Sequence, residues 1–290
     1  MNGEPNTDDK TNQERGWIQR FDKLKITDPE VIFQRLSKTK TIGTLDDNPT
    51  YIKWLKNVVK YRNKHGGELW LSDDKVFDLL KSAKSEEGLA TLFEMLRQAP
   101  QTKSLAENMQ VRMVLSLPSS HRAVNEAWLN SRETPQHVFQ ILRLGDASLD
   151  NNPLFIQWLR YIELYAARVG GNSYSDIYFV LKNAKPVNEV RFGTILQSLK
   201  ETSDLKPLAG SLQTQLYQKL TLSPLAFERH LSIPVSIVAS KLPTTDPRYG
   251  NLKAYTIYFA ERQGGDILDK VKTLVADGDL FNAVTVASKS

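Results

Sequence analysis

Side chains able to do chemistry are thinly spread in this sequence. The four histidines, His65, His121, His137 and His230, are scattered, and none belongs to an H-E-x-x-H zinc motif. His65 stands just before Gly66-Gly67, where a cationic ring suits a helix C-terminus. Adjacent carboxylates occur at Asp46-Asp47, Asp73-Asp74 and Glu86-Glu87, and such pairs are the raw material of acid–base catalysis. Each pair lies at a turn or near a helix start, however, where negative charge complements the helix dipole. No carboxylate sits inside an apolar run beside a partner that would shift its pKa. P-loop, G-x-G-x-x-G and G-x-S-x-G strings are missing. With no cysteine, disulfides, thiolate metal sites and cysteine nucleophiles are excluded. The expectation is a non-enzyme with no catalytic, cofactor or metal residues.

Aromatic residues are the more ordered signal. Trp54 and Tyr61, then Trp158 and Tyr165, stand seven residues apart, and Leu252 and Phe259 repeat that spacing with apolar substitutes. Exposed, such rings could stack nucleic-acid bases. They share a helix face with aliphatic residues, so the sequence predicts a structural core built on Trp54, Tyr61, Trp158, Tyr165, Leu252 and Phe259. The strings Phe77-Asp78-Leu79-Leu80 and Phe139-Gln140-Ile141-Leu142 imitate linear motifs that add a strand to a partner. They fall on apolar faces of predicted helices, so burial is expected there too.

The elements that hold these residues are marked by punctuation. Gly-Gly follows at positions 17 and 18 after each of Pro49, Pro153 and Pro247, as Gly66-Gly67, Gly170-Gly171 and Gly264-Gly265. Asp28-Pro29, Asn48-Pro49, Thr134-Pro135, Asn152-Pro153 and Asp246-Pro247 each set a capping side chain before a proline suited to the first helical position. The glycine pairs are expected to supply left-handed C-terminal caps. Later stretches also correspond: FDLLKSAK (77–84) with YFVLKNAK (178–185), and LATLFEML (89–96) with TILQSL (194–199) and DLFNAVTVAS (279–288). LAENMQVRMVLSL (105–117) matches LAGSLQTQLYQKLTL (208–222), and the third copy ends before this helix.

The fold expected is therefore all-α, with tandem helical-bundle modules of about five helices stacked into an elongated array. Residues 1–15 read as a disordered N-terminal segment, and Trp17, Phe21 and Leu24 as one face of a lead-in helix. The first module spans 16–131, the second 132–232 and a shorter third 233–290. HRAVNEAWLNSRETP and LAFERHLSIP are read as short linking segments, leading to Pro135 and Pro234.

Over 290 residues, 38 basic and 33 acidic side chains leave a net charge of +5. Basic and acidic residues are interspersed, which reads as solvated helix faces and gives only slight support to a helical-repeat nucleic-acid binder. No apolar run reaches the roughly 18 residues that cross a bilayer, and the polar N-terminus has no signal-peptide core.

A Trp followed seven residues later by Tyr, in helical modules of about 100 residues in tandem, resembles the WY and LWY modules of oomycete RxLR effectors. The leucine-rich element of that family corresponds to LAENMQVRMVLSL and LAGSLQTQLYQKLTL, and the resemblance covers residues 17 to 290. Leu252 and Phe259 depart from the aromatic pair. No R-x-L-R string is present, and Asn12-Gln13-Glu14-Arg15 matches what an acidic E-E-R element would leave. The resemblance implies a secreted virulence protein delivered into the cytoplasm or nucleus of host plant cells. There it would act as a non-enzymatic, monomeric scaffold that binds host proteins and suppresses immunity. Some members recruit a host phosphatase through its scaffold subunit, which makes the protein phosphatase 2A scaffold subunit an implied partner. The family implies no cofactor, nucleic acid or membrane, and its contact surfaces are not encoded in the Trp and Tyr positions.

Overall fold

The structure, a computed structural model, describes residues 28–38, 49–171, 173–184, 188–231, 233 and 241–289. The expected disordered segment, the lead-in helix, Asn12–Arg15, Asp46, Asp47, Asn48 and Pro234 lie outside them. Among the described residues the regular structure is entirely helical, without strands. Helix starts follow local chemistry. Oδ1 of Asp28 accepts from the backbone N–H of Glu30 at 2.8 Å, and that of Asn152 from Leu154 at 2.9 Å. Asp246 accepts from Arg248 and Thr134 from His137 in the same way. Four of the five predicted cap-proline pairs thus satisfy orphan donors at helix starts.

The chain divides into two compact units, residues 1–133 and 134–290. The first contains α1 (Pro29–Lys38), α2 (Pro49–His65), α3 (Asp73–Ala83), α4 (Glu86–Arg97), α5 (Lys103–Ser116) and α6 (His121–Asn130). α1 lies on α2, while α5 packs against both α3 and α4. Trp54, Leu55 and Val58 of α2 are buried, as are Phe77 and Leu80 of α3, Leu89 and Phe93 of α4, and Met109 and Met113 of α5.

The second unit contains α7 (Pro135–Ile141), α8 (Pro153–Val169), α9 (Ser173–Ala184), α10 (Glu189–Leu199), α11 (Lys206–Lys219) and α12 (Pro224–Arg229). α13 (Pro247–Glu261), α14 (Gly265–Ala276) and α15 (Leu280–Ser288) complete it. The second and third sequence copies thus share one compact unit, with α13 of the third seated against α10 of the second. The third copy's core gathers Leu252, Tyr255, Val271, Leu280 and Val284, with Tyr217 and Phe227 from the second.

Two local expectations need correction. Only the first glycine pair starts with a left-handed residue, Gly66 at φ 95 and ψ 24. Gly170 (φ 91, ψ 167) and Gly264 (φ 105, ψ 179) keep positive φ with extended ψ, and Gly265 is the first residue of α14. The shared requirement is a backbone without Cβ, and the cap geometry differs. The two linking segments are also more than links. HRAVNEAWLN is α6 and PLAFER is α12, and they bury Trp128 and Phe227 respectively.

Candidate protein-binding surface

The repeated aromatic positions divide into two groups. Trp54, Trp158 and Leu252 are fully buried, whereas Tyr61, Tyr165 and Phe259 sit partly exposed at the margin of their helices. Trp54 Nε1 donates to the carbonyl of Pro29 at 2.7 Å, and Trp158 Nε1 to that of Pro135 at 2.8 Å. Phe33 lies 4.8 Å from the Trp54 ring, and Phe139 lies 5.0 Å from that of Trp158. Each indole therefore ties its helix to the first residue of the preceding one, a bond Leu252 cannot make. In the third copy the ring contact passes to Tyr255, stacked on Phe227 at 4.1 Å and donating to the Leu222 carbonyl at 2.6 Å.

Polar groups are also buried at matched places in both units. In the first, Arg97 of α4 pairs with Glu94 at 2.8 Å and with Glu133, while Gln110 of α5 donates to Glu94 at 3.1 Å. The Trp128 indole donates in turn to Gln110. In the second, Gln197 of α10 and Lys200, the residue that caps its C-terminus, bond Gln213 of α11. Asn251 of α13 completes the cluster, donating to the Val190 carbonyl at 3.0 Å and accepting from the Tyr217 hydroxyl at 2.7 Å. Burial, reinforced by Lys206, pulls the Lys200 ammonium below its usual range, and burial pushes the Tyr217 phenol well up. Sequence reasoning missed this feature, although Gln110 and Gln213 hold one position in the matched leucine-rich stretches.

Among the described residues, most of the titratable groups singled out in the sequence have a local structural role. The His65 ring packs at a tilt against that of Tyr61, 4.4 Å between centroids, and ring nitrogens of His121 and His230 contact backbone carbonyls. His137 is exposed at the start of α7. Asp73 is buried, accepting from Arg62 and Asn108 at 2.6 Å each, and Asp74 pairs with Arg112. Glu86 and Glu87 occupy the first turn of α4. Phe77, Leu80, Phe139 and Leu142 are buried, so neither linear-motif imitation is available to a partner. Among the described residues no three His, Asp or Glu side chains converge to hold a metal ion.

Two concavities open on the second unit. A groove of about 480 Å³ runs between α10 and α13, rimmed by the Arg191–Asp150 and Arg248–Asp246 ion pairs. The Arg248 guanidinium hydrogen-bonded to Asp246 holds that carboxyl below its usual range, as an N-cap requires. A second hollow of about 390 Å³ is lined by Tyr178, Leu181, Phe192 and Leu216, and Phe179 of α9 is exposed. On the first unit, Leu69 is 96% and Trp70 65% exposed, in the turn after Gly66-Gly67. Each unit thus carries its own outward patches, apolar and charged on the second and apolar on the first, of a kind suited to protein contact.

Residues 60–111 match the family model described as "RXLR phytopathogen effector protein WY-domain", and residues 123–162 match "Effector PexRD54, WY-domain". The chain is 36% identical over 274 residues to RxLR effector protein PexRD18 of Phytophthora infestans, covering 91% of this chain and 56% of that protein. It is 35% identical over 168 residues to RxLR effector protein 54 of the same organism, with 56% and 44% covered. The crystal structure of RXLR effector PexRD54 from Phytophthora infestans aligns over 57% of this chain and 61% of its own, at 32% identity and a TM-score of 0.47. The chain spans about half the length of the curated relatives it matches.

Proposed function

Because this chain belongs to the oomycete RxLR effectors built on WY modules, we propose that it is a secreted virulence protein acting inside host plant cells as a non-enzymatic binding scaffold. Host proteins are its partners, and suppression of immunity is the outcome. The observation carrying this reading is that three of the repeated side chains are consumed in packing: Trp54 and Trp158 tie helix to helix, and Leu252 is buried. Among the positions that differ between copies are outward ones such as Lys56 and Lys60, where a scaffold presents its contacts. The six repeated apolar positions belong in this proposal as the frame, and the three-module reading of residues 16–131, 132–232 and 233–290 as its plan.

The host protein phosphatase 2A scaffold subunit is the first partner to test, and the chain is taken to act as a monomer. Expression in leaf tissue followed by an elicitor-triggered oxidative burst tests the whole reading. A damped burst supports it, and a burst equal to that of an empty vector removes it. Titration of the purified phosphatase subunit, with sedimentation analysis of the chain alone, decides the two finer points.

A further inference from the structure

The solvent crest of α2 is unlike its counterparts. Lys53, Lys56, Lys60 and Lys64 recur at helical spacing, and at about 100° per residue they fall within an arc of about 80°, opposite the buried side. Lys56, Lys60 and Lys64 are exposed and Lys53 is half-buried. α2 contains no acidic residue, and among the described residues none of the four lysines has an ion-pair partner. The one buried cation of the helix, Arg62, is turned away to Asp73. Lysines adjacent at i+3 and i+4 repel one another, so the stripe works against the helix that bears it.

The repeat tells what this crest faces when it is covered. Counted from the opening proline, Lys53, Lys56, Lys60 and Lys64 correspond to Asn251, Ala254, Tyr258 and Arg262 in the third copy. There the crest is seated on a helix pair. Asn251 bonds Val190 and Thr194 of α10, and Tyr217 of α11 meets both Asn251 and, at 5.5 Å, the Tyr258 ring. The fold thus offers this face to other helices, and in the first copy it is armed with ammonium groups.

We propose that the Lys53–Lys64 crest docks an acidic helix of a partner protein, with carboxylates repeating every third or fourth residue. Successive lysines are about 5.5 Å apart along the axis, and a facing helix repeats its side chains at the same pitch. Complementary charge would speed and orient that encounter. A single-stranded nucleic acid fits less well, because its binders interleave free aromatic platforms, whereas Asn57 and Asn63 flank the lysine arc and the neighbouring Tyr61 ring is packed against His65.

The inference rests on the protein-binding reading above and is tested apart from it. The probe is a fluorescein-labelled, stapled helical peptide of about 20 residues with glutamates along one face, compared by anisotropy with a shuffled isomer of equal charge. The full chain should bind the faced peptide at least about tenfold more tightly than the shuffled one, and more weakly as salt rises. Lys53→Glu, Lys56→Glu, Lys60→Glu and Lys64→Glu together should abolish that preference, while the four Lys→Arg changes keep it. If the Glu variant does not fold, the four Lys→Gln changes take its place. Equal binding of the shuffled peptide overturns the proposal and leaves a solvating cap. Tighter, crest-dependent binding of a DNA duplex overturns it in favour of nucleic acid. Faced-peptide binding without immune suppression removes only the wider reading, and suppression without such binding removes only this surface.

Discussion

At the scale of single residues, the Trp158 indole and the Arg97 guanidinium carry large consequences. Trp158 fills the core of its module and satisfies the second lone pair of the Pro135 carbonyl. Trp158→Ala should cost about 3 to 5 kcal/mol, and Trp158→Phe about 1 to 3 through the unmade hydrogen bond, both read as shifts in the denaturant midpoint. If the Ala and Phe variants unfold together with the parent, the indole bond has no energetic role. Arg97 stands between Glu94 and Glu133, all three nearly buried. Its hydrogen bonds and the two carboxylates raise its pKa even though burial opposes them. Arg97→Ala leaves two buried carboxylates without their cation and should destabilise by about 3 to 5 kcal/mol. The Trp positions were legible in the sequence because apolar spacing betrays them. Half-exposure of Tyr61, Tyr165 and Phe259 was not, since the same spacing does not say how far a neighbouring helix covers the face.

At the scale of elements, the caps and one helix crossing decide stability. Thr134 accepts from His137 and Ser223 from Ala226, so Thr134→Ala or Ser223→Ala should lower stability by about 1 kcal/mol each in a thermal melt. The crossing of α10 and α13 depends on Gly193, where an added Cβ would lie 2.8 Å from the Asn251 side chain. Asn251 is buried within a bonded cluster and cannot swing aside. Gly193→Ala should therefore cost about 1 to 3 kcal/mol, and adding Asn251→Ala should change the stability non-additively. Strict additivity would mean that the two sites do not touch. Cap-proline starts were readable because capping is local chemistry. The roles of α6 and α12 were hidden, since a short helix owes its place to packing more than to propensity.

At the scale of the whole molecule, both units bury tryptophan, Trp54 and Trp128 in the first and Trp158 in the second, and the second adds a cluster of Tyr217 and Tyr255 with Tyr258 packed against it. Burial, with Tyr258 nearby, pushes the Tyr255 phenol from 10.0 up to about 12. A raised folded pKa means that the neutral form is favoured by the fold. That stabilisation is whole below pH 10 and fades as pH rises through about 12. Tyrosinate absorbance should consequently rise late, together with loss of helix, and Tyr255→Phe should reduce the late component to which Tyr217 also contributes. Early ionisation of every tyrosine with the helices intact would place these phenols in solvent.

By itself the sequence determined the all-helical class, four of the capped helix starts and the apolar spacing on which Trp54, Trp158 and Leu252 are buried, because caps and apolar periodicity act over a few residues. It also carried the family resemblance. Only the tertiary structure decided that Asn251 is buried on α10, that Arg97 and Gln110 belong to one polar cluster, and that the second and third copies share a compact unit. Burial and partnership depend on chain segments tens of residues apart, and no local spacing records which of them will meet.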